Sequence, residues 1–355
     1  MSQNMTYKGA GYGLGAAAFF GLGLPLAKLL LPETTPILLA GLLYCGAGLG
    51  LLLFERMFYM GSLASKLEAK VGSSDRWLLA GIIIAGGIVG PTFMLWGLNR
   101  TTGVLGSLLL NLEAPFTIVL AVTLFREHLG GVEAMGAFLI ILAAVFLHYR
   151  PDELRMDTWG FLAIACACFA WALDNNLSQR VSFRDPIVVT RIKALGAGIC
   201  TLIIALSAGQ TLPRLSIIMA ALLLGFFSYG MSLVLDMQAL RLHGAAREAG
   251  YFATAPFIGA AAAVLILGEH WGLSETVATI IMGMGVLLLV QAHHSHPHLH
   301  EEVEHEHIHV HTDHHVHAHE KIQEIREPHA HTHRHLPLAH DHPHVSEAHH
   351  RHEHP

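Results

Sequence analysis

The sequence predicts an all-α integral membrane protein with ten transmembrane helices, arranged as two inverted five-helix repeats and followed by a disordered C-terminal tail. Three observations lead to this prediction. Hydrophobic residues make up 53% of the chain and charged residues only 14%, which is far from the composition of soluble proteins. Ten apolar stretches are long enough to cross a bilayer, and part of the first half of the chain recurs in the second half.

Each predicted transmembrane helix is a stretch of roughly 20 mainly apolar residues, the length at which a helix crosses a bilayer and satisfies its own backbone. The ten predicted helices run over residues 10–31, 36–54, 77–97, 104–125, 131–148, 158–180, 186–208, 215–240, 248–267 and 273–291. Turn-forming residues separate several of them, as at Leu31-Pro32-Glu33. The lengths of the apolar stretches and the turn-forming residues therefore predict the same boundaries between helices.

An internal repeat relates the two halves of the chain. Residues 97–129 and 238–271 contain an arginine, a glycine, an Ala-Pro-Phe segment and a Glu-His pair in the same order. The matched residues are Arg100 and Arg241, Gly103 and Gly244, Pro115 and Pro256, Glu127-His128 and Glu269-His270. A repeat of five helices must insert its second copy upside down. Inverted halves of this kind are typical of secondary transporters, which bind their substrate near the midplane between the copies.

This organisation resembles the drug/metabolite transporter superfamily, and specifically permeases with two EamA domains. The resemblance rests on the five-plus-five repeat, on Pro115 and Pro256 in the fourth and ninth helices, and on the Glu-His pairs, and it covers residues 10–291. It implies a permease with a central cavity between the halves, often an exporter of small metabolites. The predicted domains are a first EamA-like repeat at 1–150, a second at 151–292 and a tail at 293–355.

The distribution of lysine and arginine predicts the orientation. If the N-terminus is cytoplasmic, the inner segments contain Lys8, Arg56, Lys66, Lys70, Arg76, Arg126, Arg180, Arg184, Arg241 and Arg247, and the outer segments contain Arg100, Arg150, Arg155 and Arg214. Cytoplasmic segments normally carry the excess of positive charge, so we expect the N-terminus inside. An even number of helices then places the tail inside as well, and the expected location is the cell membrane.

Charged side chains within the predicted helices are candidate functional groups, because each costs roughly 2.5 to 3.5 kcal/mol at the bilayer centre on insertion scales. Asp174, Arg191, Lys193 and Asp236 fall at a similar depth near the cytoplasmic ends of the sixth, seventh and eighth helices, and Glu113 lies within the fourth. Two interpretations stay open at this point. The charges form mutual ion pairs that only stabilise the fold, or they belong to a solute site.

Helical spacing groups several polar and aromatic residues with these charges. One face of the sixth helix carries Trp171, Asp174, Asn175 and Ser178, a stripe that lipid would penalise. The predicted substrate cavity comprises Trp96, Asn99, Asn111, Glu113, Trp171, Asp174, Asn175, Ser178, Arg191, Tyr229, Asp236 and Tyr251. Hydrogen bonding between helices is the alternative for residues such as Asn99. No catalytic residue is predicted.

Glu113 and the two Glu-His pairs each allow two interpretations. Pro115 lacks an N–H and frees the carbonyl of Asn111, so Glu113 lies beside a helix break. The carboxylate could take up a proton during transport or could brace the break. The Glu-His pairs lie at opposite membrane faces under the inverted topology, so we expect them to cap helices and not to bind a metal.

The tail is rich in histidine. Only four of the 28 histidines lie before position 293, and the other 24 lie from His293 onward, interspersed with varied residues. Neutral imidazole is a common ligand for transition metals, so we expect the tail to bind nickel, cobalt, zinc or copper with little selectivity. The predicted ligands are His305, His307, His309, His311, His314, His315, His317, His319, His329, His331, His333 and His335.

These patterns favour a secondary transporter that exports a small metabolite and carries a cytoplasmic metal-buffering tail. Two alternatives stay open: an exporter of nickel, cobalt or zinc whose tail collects the ions, and a membrane-tethered metal sensor without transport. The sequence lacks a nucleotide-binding loop, a nucleophile elbow and a His-Glu-x-x-His helix, so we expect neither an enzyme nor a required cofactor. The expected partners are the lipid bilayer and a small molecule or metal ion, without nucleic acid, and a homodimer is compatible with the sequence.

Overall fold

The fold is that of an α-helical membrane bundle. The computed structural model describes residues 3–59, 71–125, 129–149, 157–178, 181, 184–243, 245–291, 294–300, 303–309, 329–335 and 338–344. Within these residues, ten helices are long and apolar enough to cross a membrane. The predicted all-α membrane class is confirmed, and the predicted spans agree with the structure to within a few residues at each end.

The ten spans are named α1 to α10 in chain order. They are α1 Lys8–Glu33, α2 Pro36–Phe58, α3 Ser73–Leu98, α4 Gly103–Thr123, α5 Gly131–His148, α6 Thr158–Ser178, α7 Pro186–Ser207, α8 Leu215–Ala239, α9 Ala249–Leu267 and α10 Leu273–Gln291. We call the side of the bundle where α1 begins and α10 ends the tail side, and the opposite side the far side. The region between the spans on the far side is filled by buried leucines, which include Leu98, Leu105, Leu108, Leu109 and Leu147.

Two pairs of helices are irregular at matching places in the repeats. α3 consists of the α-helical segments Arg76–Ile82 and Gly90–Leu98 with a π-helical segment, Ile83–Val89, between them. α8 has the same plan: its α-helical segments are Leu215–Gly225 and Ser232–His243, and its π-helical segment is Phe226–Met231. α4 has Gly103–Leu109, a 3-10 turn at Leu110–Leu112 and Glu113–Phe125, whereas α9 is built from Ala245–Phe252 and Ala255–Leu267. The break in α4 and the break in α9 each lie just before a proline, which cannot donate to the preceding turn. Short 3-10 or π turns also stand at the helix ends Leu31–Glu33, Glu55–Tyr59 and Ser73–Asp75, where the adjoining α-helices are Gln3–Leu30 and Pro36–Phe54.

Packing between the two repeats follows their pseudo-symmetry. α2 packs against α7, α4 against α9 and α5 against α10, so these helices meet their own counterparts. α1 packs against α8, and the counterpart contact is made by α3 and α6. Each repeat therefore lends helices to the other, and the junction of the halves runs through the centre of the bundle.

Glycine allows the closest of these contacts. A Cβ atom on Gly136 of α5 would lie 2.8 Å from the carbonyl oxygen of Gly285 on α10, and one on Gly285 would lie 2.7 Å from the carbonyl oxygen of Gly136. Small residues at helix crossings let backbones approach in membranes, where lipid supplies little hydrophobic drive for association. The α5–α10 contact is thus reciprocal between the repeats.

The tail contains the β structure of the described residues. Four strands, β1 His294–His300, β2 Val303–His309, β3 His329–His335 and β4 Leu338–His344, form two antiparallel pairs, β1 with β4 and β2 with β3. These four segments are the part of the tail that the structure describes. Alternation of histidine with other residues has the two-residue period of a strand, which accounts for the extended pairing.

Replacing Gly285 by alanine should destabilise the bundle, because the new methyl group collides with the backbone of α5. Overpacking of this kind typically costs about 1 to 3 kcal/mol. The measurement is the thermal unfolding midpoint of the detergent-solubilised protein. Gly283→Ala on the same helix is the matched control, since a Cβ there meets no atom within 4 Å. Equal midpoints for the two variants would show that the α5–α10 contact is not close.

Candidate functional site

The carbonyl oxygen of Gly86 organises the centre of the site. Gly86 lies in the π-helical part of α3, five residues before Pro91, and the N–H of Gly90 donates to Ala85. Pro91 has no N–H, so the Gly86 carbonyl lacks a helical donor. The Tyr44 hydroxyl donates to it at 2.8 Å and the Trp171 indole N–H at 3.1 Å. A local irregularity in α3 thereby holds α2 and α6 in place.

A buried ion pair lies one helical turn from Trp171. The ammonium of Lys193 on α7 donates to the Asp174 carboxylate on α6, and their side chains are 12% and 6% exposed. The Ser178 hydroxyl donates to the same carboxylate at 3.3 Å. A Cβ atom on Gly86 would lie 2.2 Å from Asp174, so glycine alone leaves room for the carboxylate. The pair therefore depends on close packing of α3, α6 and α7.

Glu113 begins the second segment of α4, directly after the 3-10 turn. Its carboxylate accepts a hydrogen bond of 2.6 Å from the Asn175 side-chain amide of α6. Asn175 is exposed and Glu113 is half-buried, although Glu113 falls in the middle of the span. The thiol of Cys168 donates to the Leu109 carbonyl at 3.5 Å and thus helps to satisfy the break. The break brings a reachable carboxylate to the junction of α4 and α6.

The structure brings seven of the predicted cavity residues into one neighbourhood. Electrostatic interactions link Glu113 with Asp174, Lys193 and Asp236, and they link Tyr44 with both Glu113 and Asp174. The ring of Tyr229 lies 5.3 Å from that of Tyr44. The residues brought together are Glu113, Trp171, Asp174, Asn175, Ser178, Tyr229 and Asp236. They come from α4, α6 and α8, and hence from both repeats.

Two other predicted cavity residues lie at the far end of α3. Trp96 has the guanidinium of Arg100 4.4 Å from its ring centre, and Arg100 forms an ion pair of 3.1 Å with Asp157. Asn99 is exposed at the C-terminal end of the same helix. Trp96 and Asn99 therefore lie at the far-side end of α3, whereas Gly86 and its partners lie nearer the middle of that helix.

Three more predicted residues make structural contacts outside the cluster. Asn111 is buried and donates to the Leu108 carbonyl at 2.9 Å inside the broken turn of α4. Arg191 forms an ion pair of 3.1 Å with Glu55 of α2, whereas Asp174 and Lys193 form one of the ion pairs expected among the four clustered charges. Tyr251 packs against α1, where Gly13 makes room for it.

Sequence reasoning missed Tyr44, Gly86 and Phe20 as parts of the site. Phe20 of α1 contacts Trp171 and Tyr229, with ring centres 6.0 Å and 5.9 Å away. A signal for Gly86 exists in the sequence, since Gly86 and Gly90 are four residues apart and precede Pro91. Such a pattern predicts a closely approached, irregular helix face. Nothing in the apolar sequence around Phe20 or Tyr44 distinguishes them from core residues.

Two charged residues stabilise the far side of the bundle through hydrogen bonds to backbone groups. The Glu269 carboxylate accepts hydrogen bonds from the backbone N–H groups of Gly103 at 2.7 Å and Val104 at 2.8 Å, and so caps the start of α4. The Lys28 ammonium donates to the carbonyls of Leu98 at 3.0 Å and of Thr101. The expectation that the Glu-His pair caps a helix therefore agrees with the contacts of Glu269. The matching pair Glu127-His128 lies outside the described residues.

A protein-family model matches the chain twice, once in each repeat. The model describes the EamA-like transporter family, and it matches residues 7–149 and 158–291. The chain belongs to the EamA-like transporter family. The expected resemblance is thereby confirmed, and this EamA-like protein is a multi-pass membrane transporter.

Individual relatives agree with this assignment. An uncharacterized transporter of Methanothermobacter thermautotrophicus is 32% identical over 286 residues, which cover 77% of this chain and 83% of that protein. An uncharacterized transporter of Synechocystis is 28% identical over 214 residues, covering 54% of this chain and 61% of that protein. A crystal structure with 18% identity superimposes with a TM-score of 0.60 over 80% of this chain and 98% of its own. The last likeness concerns the fold alone.

Side chains of the types that bind metals lie mainly in the tail of this EamA-like transporter. Among the residues that the structure describes, no three histidine, cysteine, aspartate or glutamate side chains come together as a metal site. The predicted ligands His311, His314, His315, His317 and His319 lie outside the described residues. The other predicted ligands lie in β2 and β3, where His305, His307 and His309 stand opposite His333, His331 and His329. Metal binding by the tail stays a prediction.

Removing Lys193 alone should destabilise the transporter, because it leaves the Asp174 carboxylate buried without its cation. Breaking a buried pair in this way costs about 3 to 5 kcal/mol. We expect Lys193→Met to lower the thermal unfolding midpoint in detergent, and Asp174→Asn combined with Lys193→Met to regain most of it. A double variant as unstable as Lys193→Met would show that the two side chains do not stabilise each other.

Proposed function

We propose that this EamA-like transporter is a secondary permease that exports a small organic solute across the cell membrane. The observation that carries the proposal is the polar cluster at the junction of the repeats, with the Asp174–Lys193 pair beside Glu113 and Asn175. Charged groups within a bilayer are costly and characteristically mark solute or ion pathways. Secondary transporters with inverted repeats bind their solutes at this kind of junction.

The position of the cluster supports export from the cytoplasm. Asp174 and Lys193 lie in the tail-side half of the bundle, whereas leucines and the Lys28 and Glu269 contacts fill the far side. The excess of lysine and arginine in the tail-side segments favours a cytoplasmic tail side. With that orientation, both termini are cytoplasmic and the site loads from the cytoplasm.

The chemistry of the cluster supports an organic solute. Lys193 already occupies the Asp174 carboxylate, and aromatic rings from Phe20, Trp171 and Tyr229 stand beside it. Aromatic walls with a few directed polar groups are the usual lining of a small-ligand site. Transition metals favour imidazole or thiolate ligands, and the ammonium of Lys193 competes with any cation at Asp174.

A second candidate function is export of nickel, cobalt or zinc, and the histidine-rich tail favours it. The 24 histidines from position 293 onward would raise the local concentration of ions beside the transport site. In the organic-solute proposal the same tail buffers or senses divalent transition metals. A membrane-tethered metal sensor without transport is the remaining alternative.

Transport by inside-out vesicles tests the proposal. The vesicles are supplied with an isotope-labelled mixture of small metabolites and, separately, with nickel, cobalt or zinc, and their contents are measured by mass spectrometry. We expect an organic solute to accumulate and Asp174→Asn to reduce its uptake about tenfold or more. Asp157→Asn, which removes a carboxylate on the far side, should transport normally. Metal uptake that Asp174→Asn abolishes would establish the metal exporter instead, and absence of all uptake would favour the sensor.

Truncation after Ala292 separates the tail from the transport site. We expect the full-length protein to bind zinc or nickel in equilibrium dialysis and the truncated protein to lose most of that binding, because the truncation removes the imidazoles. Solute uptake should persist in the truncated protein. Equal metal binding by both proteins would contradict a metal-buffering tail.

A further inference from the structure

Aromatic rings from both repeats form a cluster directly beside the charged groups. The ring of Phe20 lies 5.4 Å from that of Phe252, 6.0 Å from Trp171 and 5.9 Å from Tyr229. Phe20 and Phe252 are half-buried, whereas Trp171 and Tyr229 are buried behind them. Phe20 and Phe252 thus keep part of their side chains exposed, next to the buried rings of Trp171 and Tyr229.

Among the charged side chains described beside this cluster, Glu113 is a carboxylate whose hydrogen bond comes from a neutral group. The Lys193 ammonium is committed to Asp174, and the Arg191 guanidinium is paired with Glu55. Glu113 is held by the Asn175 amide, which is neutral and does not cancel its charge. A carboxylate in mid-span with a neutral partner attracts a mobile cation, because little water is present to screen it.

One residue shows that the aromatic and acidic groups share a single neighbourhood. The Tyr44 ring lies 5.3 Å from that of Tyr229, and its hydroxyl donates at 2.8 Å to the carbonyl of Gly86, a residue packed against the Asp174 carboxylate. Trp171 also joins the two groups, because its ring lies 6.0 Å from that of Phe20 and it precedes by one helical turn Asn175, whose amide donates to Glu113 at 2.6 Å. A solute that reaches Glu113 is therefore also close to aromatic rings.

We infer that the transported solute is an organic cation with an apolar or aromatic body, held with its positive charge near Glu113 and its body against Phe20 and Phe252. The inference rests on the proposed function and names its substrate class. Aromatic faces attract ammonium groups through their quadrupole, and a nearby carboxylate adds charge attraction.

Other solute classes fit the same groups less well. An anion would have to displace Asp174 from Lys193, and it would face the Glu113 carboxylate. A bare metal ion gains nothing from the phenylalanine rings, and a neutral solute leaves the charge of Glu113 uncompensated. Of these solute classes, an organic cation is the one that interacts favourably with both the Glu113 carboxylate and the half-buried rings.

Binding of three matched probes tests the inference on the full-length protein in detergent. The probes are phenyltrimethylammonium, its neutral isostere tert-butylbenzene and the anion benzoate, and the readout is displacement of radiolabelled phenyltrimethylammonium. The permanent charge of this cation cannot be lost by deprotonation. We expect saturable binding of the cation, which unlabelled cation displaces at least about tenfold better than the neutral or anionic probe. Absence of saturable binding would overturn the inference without any variant being made.

Variants locate the site. Glu113→Gln should weaken cation binding about tenfold or more, since it removes the charge but keeps a hydrogen-bonding group. Phe20→Leu should weaken it about two- to tenfold, because it keeps an apolar side chain and removes the π face. Matched controls are Glu33→Gln, on the far side beside Arg214, and Phe93→Leu, on the exposed surface of α3. Both controls should bind the cation like the unmodified protein.

The outcomes separate this inference from the transport proposal. If vesicles accumulate an anionic or neutral metabolite and Asp174→Asn stops that uptake, the permease proposal stands and the cation inference falls. Preferential binding of benzoate that is lost in Lys193→Gln would overturn it in the same way. Cation binding that responds equally to Glu113→Gln and Glu33→Gln would place the cation elsewhere and would also overturn it.

Discussion

The ion pair between Asp174 and Lys193 is the interaction on which the centre of the molecule depends. Neither charge is stable alone in the interior of a membrane protein, so α6 and α7 must remain close enough for the pair to persist. Gly86 supplies the space for the carboxylate, and Ser178 completes its hydrogen bonding. The irregular turn of α3 then has a defined position, and its free carbonyl fixes Tyr44 and Trp171. One electrostatic requirement thus sets the arrangement of four helices.

The two repeats share a backbone plan but contribute different chemistry. Both α3 and α8 contain a π-helical segment at the same place in the repeat, which exposes backbone and side chains that a regular helix would not present. In α3 this segment contributes a carbonyl, at Gly86, whereas in α8 it contributes an aromatic ring, at Tyr229. Duplication therefore produced a symmetric frame, and the divergence of side chains within that frame produced an asymmetric site.

Much of this architecture could be predicted from apolar length, turn residues and the internal repeat, because the bilayer imposes these features on the chain. The sequence also predicted which face of α6 points into the bundle, since polar residues that recur with helical spacing must turn away from lipid. It did not predict that Arg191 pairs with Glu55, because the choice among nearby carboxylates depends on helix rotation. Tyr44 and Phe20 were missed for a related reason: their role follows from which helices pack together, and an isolated apolar stretch carries no such information. Trp96 and Asn99 share a helix with the site, but spacing along α3 did not reveal their depth.

The Glu269 cap has a consequence for the order in which the protein is assembled. Its carboxylate satisfies the first backbone groups of α4, yet it is synthesised 165 residues after Val104. The Thr102 hydroxyl, which accepts from the Leu105 N–H at 3.2 Å, is made with α4 itself, but the Glu269 carboxylate reaches Gly103 and Val104 only later in synthesis. The first repeat acquires this part of its hydrogen bonding only when the turn between α9 and α10 arrives. The two halves are consequently interdependent in the folded protein, because the second repeat completes the backbone hydrogen bonding of the first.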